Sequence, residues 1–312
     1  MYNIDIGINS IDKIYHIADV HVRNVKRHKE YQLVFKRLYS YIKKTKTDNS
    51  VIYVAGDIVH AKTDMSPELI AVVSDFFKKL ADLAPTLVIT GNHDCNLNNS
   101  YRLDALSPIV KALNHQRLHY LKDNGIYCIS GVHFNVMSVY NKPTEYITAD
   151  QIDGDYKIAL HHGSVHNAST DAGFTLSNTH VTTNIFKGHD LVLLGDIHKP
   201  QYLNEDKTIA YAGSLIQQNH GEALGHGIMV WDLASKRCEF VEIPNDYGYY
   251  TFYVENGKIT NPNDKIPIRP RLRFKVKDTD SATLKKLIAE VKSKYRVQDI
   301  SLQKINALNT TD

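Results

Sequence analysis

Val51-Ile-Tyr-Val-Ala-Gly56-Asp57-Ile-Val-His60 is an apolar run that stops at a glycine and then releases a carboxylate and an imidazole. A short, continuous apolar run rich in β-branched and aromatic residues reads as a buried strand. A glycine at its end lets the backbone turn sharply as it leaves the sheet. The same pattern occurs on either side of this stretch. Before it comes Ile14-Tyr-His-Ile-Ala-Asp19-Val-His21. After it come Leu87-Val-Ile-Thr-Gly91-Asn92-His93-Asp94, Lys157-Ile-Ala-Leu-His161-His162-Gly163 and Leu191-Val-Leu-Leu-Gly195-Asp196-Ile-His198.

Ligands of open α/β sheets gather beyond the carboxyl ends of the strands, so five neighbouring strands can deliver these side chains to one crevice. In Asp19-x-His21 and Asp196-x-His198 the two side chains, two positions apart, point the same way in extended chain. Carboxylate, imidazole and amide oxygen without thiolate suit Mn, Fe or Zn. So many ligands exceed the needs of one ion. A carboxylate can bridge two ions about 3.5–4 Å apart, the arrangement used for in-line displacement at phosphorus, and Asp57 is the candidate bridge. One Asp-x-His alone reads as a capping pair and one Gly-Asn-His-Asp as a turn. Five strand-end clusters in order carry the argument.

Between the first three runs lie helical spacings. Val34, Phe35, Leu38, Tyr41 and Ile42 mark one helix, and Leu69, Ile70, Val73, Phe76, Phe77 and Leu80 mark a second, with Ser66-Pro67 as its cap and first residue. Leu103, Leu106, Val110 and Leu113 indicate a third. The chain then becomes rich in strands up to Ile243. The expected fold class is α/β: a layered sandwich of two mixed β-sheets flanked by helices, with a small C-terminal α+β domain. Residues 1–245 form the expected catalytic domain, 246–270 a linker suggested by the turn-rich NPNDKIPIRP, and 271–312 the small domain, with a strand at Arg271 to Lys277, a helix from Ser281 and a strand at Val297 to Leu302.

Composition narrows the class. The 312 residues suffice for one large domain and a small one. No apolar run reaches bilayer length, and MYNIDIGINSIDK lacks the basic and apolar regions of a signal peptide. The three scattered cysteines (Cys95, Cys128, Cys238) point to a reducing, cytoplasmic compartment and away from a disulfide framework. A net charge of +3 is weak support for a nucleic-acid partner. Local charge says more. Arg23, Lys26 and Arg27 follow the first cluster. Arg271, Arg273, Lys275 and Lys277 alternate with Leu272, Phe274 and Val276, which puts the cations on one strand face, able to meet phosphates or simply solvated. His220 and His226 lie near the fifth cluster, and Trp231 reads as core.

The order D-x-H, G-D-x-x-H, G-N-H-D, H and G-x-x-H resembles the calcineurin-like metallophosphoesterases over Lys13 to about Pro200. Within them the chain is most similar to the SbcD exonucleases and the meiotic-recombination nucleases. His60, where many phosphatases have Asp, favours that subgroup. So do Ala212-Gly-Ser-Leu215, His226-Gly-Ile-Met-Val-Trp-Asp232 and the basic C-terminal tail, which resembles a DNA-capping domain.

The resemblance implies one ion on Asp19, His21, Asp57 and His198, and a second on Asp57, Asn92, His161 and Asp196. The ions would be Mn2+, with Mg2+ as an alternative. The strand register that decides between His161 and the adjacent His162 is not visible; the reading takes His161. By resemblance His93 stabilises the phosphoryl group, with Asp94 as its orienting partner, and His60 contacts the scissile phosphate. Asp196 departs from the family, which usually has His there.

The implied activity is a metal-dependent DNA exonuclease or endonuclease acting in recombination and repair on duplex ends or single strands. Its products would be a 5′-phosphate and a 3′-hydroxyl. The implied partners are DNA, an SbcC-type ATPase and a second copy of the chain through Asn99 to Leu113, with no membrane. A helical segment for the ATPase is not evident. Two other classes compete: a phosphatase or phosphodiesterase of small substrates, which keeps the metals without DNA, and a DNA-end scaffold, which would have no need of His93.

Overall fold

The computed structural model describes residues 1–261 and 265–305. Its elements run β1 (Tyr2–Asn3), β2 (Lys13–Ile17), α1 (His28–Thr45), β3 (Ser50–Ala55), α2 (Pro67–Leu83), β4 (Thr86–Ile89), α3 (Leu106–Leu113), β5 (Leu118–Tyr120), β6 (Gly125–Ile129) and β7 (Val132–Met137). They continue with β8 (Lys157–His162), β9 (Leu191–Gly195), β10 (Gln201–Tyr202), β11 (Ile209–Tyr211), β12 (Gly227–Asp232), β13 (Arg237–Glu242), β14 (Tyr247–Glu255), β15 (Lys258–Ile259), β16 (Arg269–Lys277), α4 (Ser281–Lys294) and β17 (Asp299–Lys304). The chain divides into two compact units, 1–216 with 225–244, and 217–224 with 245–312.

The first unit is the expected layered α/β sandwich. One sheet has the order β13-β12-β2-β3-β4-β5, the other β1-β6-β7-β8-β9-β11-β10. Strands β2, β3 and β4 are mutually parallel, as are β7, β8 and β9. Period-two alternation separates the layers. Tyr15, Ile17, Ile52 and Val54 face the helices, where they meet Val34, Leu38, Phe76 and Phe77. Ile14, Val51 and Tyr53 face the other way and pack with Phe134, Ile158, Leu160 and Trp231 between the sheets. The Phe35 and Phe76 rings, with centroids 4.3 Å apart, join α1 to α2. Truncating a buried ring of this kind costs about 3–5 kcal/mol.

Helix ends follow their local chemistry. Ser66 accepts the Leu69 N–H (3.3 Å) at the start of α2, with Pro67 as its first residue. The third helix starts later than the apolar spacing implied. Asp104 accepts the Leu106 and Ser107 N–H groups (2.9 and 2.6 Å), so Leu103 stays outside the helix, 78% exposed.

The second unit is a four-stranded sheet of order β15-β14-β16-β17 with α4 on one face. It departs from the expected boundaries. The stretch 246–270 is not simply a linker, since the nine-residue β14 occupies 247–255 and pairs in parallel along the whole of β16. Its sequence, YGYYTFYVE, places tyrosines at both outward and inward positions, so the polar–apolar alternation that marks a strand is masked. Part of the turn-rich NPNDKIPIRP, residues 262–264, lies outside the described residues. Among the described residues no helix is long and apolar enough to cross a membrane.

Candidate metal centre

The parallel strands of the first unit's two sheets end on one edge, and the five clusters converge there. Asp19 follows β2, Asp57 follows β3, Asn92 and His93 follow β4, His162 ends β8, and Asp196 and His198 follow β9. The loops are held close by backbone pairing: His21 N–H to Asp57 C=O (2.9 Å), Val22 N–H to Ile58 C=O (2.8 Å) and His60 N–H to Val22 C=O (3.0 Å). Gly91 permits the closest approach, because a Cβ there would lie 2.1 Å from Asp57 Oδ1. Asp19, His21, Asp57 and Asp196 all adopt positive φ (49°, 48°, 51° and 99°). Non-glycine residues in sparsely populated backbone regions cost about 1–3 kcal/mol each and persist where surrounding structure demands them, commonly at functional sites.

Asp57 is the centre of the arrangement. Its Oδ2 lies 3.5 Å from His21 Nε2, and its Oδ1 lies 3.3 Å from His162 Nε2 and accepts the His93 N–H at 2.8 Å. Asp19, His21 and His198 form a mutually close ligand group on one side, and Asp19, Asp57 and His162 form another. Ring nitrogens and side-chain oxygens crowd in both places. His21 Nε2 and His198 Nε2 are 3.1 Å apart. The Asn92 amide oxygen stands 3.0 Å from His162 Nε2 and 3.2 Å from each Asp57 oxygen. Turning the amide over would convert the contacts with Asp57 to donated hydrogen bonds; left as it is, oxygen lone pairs of Asn92 and Asp57 at such separations call for positive charge among them. The donor set therefore fits two divalent ions.

The electrostatics agree. Burial holds the His21 ring well below its usual pKa, leaving a neutral imidazole with a lone pair to give. Burial also pushes Asp19 up to about 7, against the pull of His162 and His198. For Asp57 burial is outweighed by His162, His21 and the His93 N–H, which hold its carboxyl below the ordinary range. Burial opposes a charged His162, yet Asp57, Asp19 and Asp196 hold it well above its ordinary value. Its proton sits where a cation would satisfy the same carboxylates.

Three expectations need correction. The first concerns adjacent histidines. His162, not His161, points into the crevice. Along β8, Ile158 and Leu160 face the space between the sheets and His162 continues that face, whereas Ala159 and His161 face outward. His162 Nδ1 donates to Ala55 C=O (2.6 Å), which aims Nε2 at Asp57 and Asn92. His161 donates from Nδ1 to Met137 C=O (3.2 Å) and packs beside Tyr146 and Phe186.

The second correction is Asp94, which does not orient His93. It accepts the Ile58 and Val59 N–H groups on Oδ1 (2.9 and 3.0 Å) and the Gly91 N–H on Oδ2 (3.0 Å), binding the β3 and β4 loops together. The His93 ring is instead fixed by donation from Nδ1 to His60 C=O (2.7 Å). The third is Arg27. Its guanidinium is buried in a two-point ion pair with buried Glu30 (2.9 and 3.0 Å) at the start of α1, so it is not presented to a nucleic acid.

The other expected residues fall as follows. His21, His60 and His93 present ring nitrogens close to one another. Arg23 Nη1 donates to His60 Nε2 at 3.1 Å, which brings one basic residue of the first loop to the centre, while Lys26 is exposed. Asp196 is more loosely set than Asp19 and Asp57: Oδ1 is 3.9 Å from His162 Nε2, Oδ2 accepts from Ser164 Oγ (2.7 Å), and the side chain is 21% exposed. Its backbone N–H donates to both Asp19 oxygens at 3.1 Å. Arg271, Arg273 and Lys275 belong to the second unit.

Sequence reasoning passes over three of four supporting residues, Ser164, Tyr211 and Lys62; the fourth, His226, it places near the fifth cluster. Ser164 holds Asp196. Tyr211 donates to Gly163 C=O (2.6 Å) and accepts the Val165 N–H (3.0 Å), shaping the turn beyond β8. Lys62 donates to the Asn92 carbonyl at 3.2 Å. His226 Nδ1 lies 3.0 Å from Ser214 Oγ and 2.9 Å from its carbonyl, and the Ser214 N–H in turn reaches His198 C=O (3.0 Å). Ser164, Tyr211 and Lys62 carry no signal in the sequence, since each acts through a contact made only in the fold.

The comparisons place this geometry in a family. The chain is similar to "Uncharacterized protein R555" of Acanthamoeba polyphaga mimivirus, with 46% identity over 303 residues. That match covers 93% of this chain and 22% of the relative, so the chain spans less than a quarter of the relative's length. The family profile of calcineurin-like phosphoesterases matches residues 12–200, which hold every candidate ligand described above. With that match and two ligand groups that share Asp19, with Asp57 reaching toward both His21 and His162, the chain belongs to the calcineurin-like phosphoesterases, metal-dependent hydrolases that bind two divalent ions.

Proposed function

We propose that this chain is a DNA nuclease of the SbcD and meiotic-recombination type, hydrolysing phosphodiester bonds at DNA ends. The observation that carries the hydrolytic part is Asp57, which turns one oxygen to each ligand group, with His60 and His93 beside them. Asp19, His21, Asp57 and His198 would hold one ion, and Asp57, Asn92, His162 and Asp196 the other. Mn2+ suits the mixed oxygen and nitrogen donors. Bound divalent ions supply Lewis acidity toward a phosphoryl oxygen and a lowered pKa for an attacking water.

The chain's own residues do the rest. His93 spends its Nδ1 proton on the His60 carbonyl, so Nε2 is the atom left to meet a phosphoryl oxygen as negative charge builds. Asp57 fixes the His93 backbone through its N–H, which ties ligand and catalytic imidazole into one unit. The Arg23–His60 pair puts a guanidinium next to the same place, suited to a diester backbone. Support for DNA comes from His60, Arg23 and the basic strand β16. An SbcC-type ATPase and a second copy of the chain are the partners this reading carries.

The test compares Mn2+-dependent cleavage of linear duplex DNA with hydrolysis of a small aryl phosphate monoester. Cleavage of DNA with little monoester turnover is expected. Turnover of the monoester alone would replace the nuclease reading with a small-substrate phosphatase.

A further inference from the structure

The face of the second unit's sheet that looks away from α4 carries cations and aromatic rings side by side. On β16 the inward residues Leu272, Phe274 and Val276 are buried with Phe252 and Val254 of β14 and with Val291 of α4. The outward residues of the same strand are Arg269, Arg271, Arg273, Lys275 and Lys277. The parallel register sets an aromatic or hydroxyl residue beside nearly every cation: Tyr249 beside Arg271, Thr251 beside Arg273 and Tyr253 beside Lys275. The charges lie over the rings, Arg271 5.3 Å from the Tyr249 centroid and Lys275 5.4 Å from that of Tyr253. His220 stands edge-on to Tyr249, with ring centroids 4.8 Å apart. Tyr253 is 43% exposed, a large ring left in water.

The face is also unbalanced in charge. Glu255 pairs with Lys277 (2.7 Å), and Asp299 of β17 is in register with Arg271. Arg273 sits between Thr251 and Ser301, and Lys275 between Tyr253 and Gln303, so neither has a carboxylate in register on either side. Tyr249 and Tyr253 are four residues apart, roughly 13 Å along the strand.

We propose that this face binds single-stranded nucleic acid, with bases stacking at Tyr249 and Tyr253 and phosphates meeting Arg271, Arg273 and Lys275. The proposal deepens the nuclease reading, which supplies the substrate class. A duplex hides its base faces in the stack and offers phosphates, so it would use the cations and leave the tyrosines idle. A single strand engages both, and base–aromatic stacking tolerates any sequence.

The experiment is fluorescence anisotropy of the full chain with a labelled oligothymidylate of about fifteen nucleotides, against a duplex of equal length, in EDTA so that nothing is hydrolysed. The single strand is expected to bind more tightly than the duplex. Tyr253→Ala and Tyr249→Ala should each weaken it about tenfold and leave duplex affinity nearly unchanged. Tyr253→Phe keeps the ring and should keep the affinity. Arg273→Gln should weaken both probes and lower the salt dependence by about one counterion. Loss with Tyr253→Phe as large as with Tyr253→Ala would overturn stacking. So would tyrosine variants that bind like wild type, which would leave a plain phosphate-binding surface, or wild type that binds neither probe. Wild-type cleavage of bis(p-nitrophenyl) phosphate in Mn2+ is measured separately. Strand binding without any diester cleavage would sink the nuclease reading and leave this proposal standing.

Discussion

The crevice around Asp57 and the outer face of the C-terminal sheet both gather polar side chains, but they are built on opposite principles. In the crevice Asp19, His21, Asp57 and His162 are buried, four residues there sit at positive φ, and the His93 and His162 rings are aimed by a hydrogen bond on the nitrogen away from the centre. On the sheet face the side chains stand on a regular strand, partly in water, each beside a neighbour it could lose. A buried, over-determined group fails as a unit, whereas an exposed row contributes in roughly independent steps.

The sharpest way to break that contrast is Asp57→Ala. It removes the carboxylate that faces both His21 and His162, so metal stoichiometry measured by calorimetry should fall and phosphodiesterase activity should drop by more than about a thousandfold. A single-site remainder with near-native activity would show that Asp57 is not shared. His93→Gln comes next. Metal binding should be intact and kcat should fall by about 100- to 10,000-fold, since the lost group acts on the transition state. Surviving turnover would remove His93 from the chemistry.

The adjacent histidines give a cleaner comparison within one strand. His162→Asn should weaken the second ion at least about tenfold, while His161→Asn should leave metal titration unchanged and lower only thermal stability. The reverse outcome would mean that β8 is out of register here. Ser164→Ala should have a smaller effect, weakening the second ion by a few-fold through a looser Asp196.

The last effect is one of pH and lies outside the metal centre. His16 is buried between the sheets against Trp231 and Tyr53, and burial lowers its pKa from 6.5 to about 3. An unfolded chain takes up that proton below about pH 6.5 and the folded one does not. The contribution to stability is therefore full above pH 6.5 and is lost as pH falls from there toward 3, at roughly 1.4 kcal/mol per pH unit. Urea unfolding at pH 7 and pH 5 should show a slope one proton shallower for His16→Asn; an unchanged slope would mean His16 is protonated in the fold.

Much of this was legible beforehand. Strand-end clusters could be read because a buried parallel strand is a run of apolar residues, and the polar residues that follow it stand out. Helix α2 announced itself through Ser66, Pro67 and its apolar spacing. Strand β14 did not, because tyrosine serves either face of a sheet. Arg27 and Asp94 looked functional because each adjoins a motif, yet Glu30 and three backbone N–H groups claim them.

By itself, then, the sequence determined that Asp19, His21, Asp57, Asn92, Asp196 and His198 belong to one strand-edge centre, since their order and types leave few other uses. Only the tertiary structure decided between His161 and His162. The reason is physical: β8 is buried on both faces, so Ile158, Ala159 and Leu160 are all apolar and their alternation carries no sign of which side faces the metals. Packing of the two sheets against each other, with His162 Nδ1 on the Ala55 carbonyl, supplies that sign.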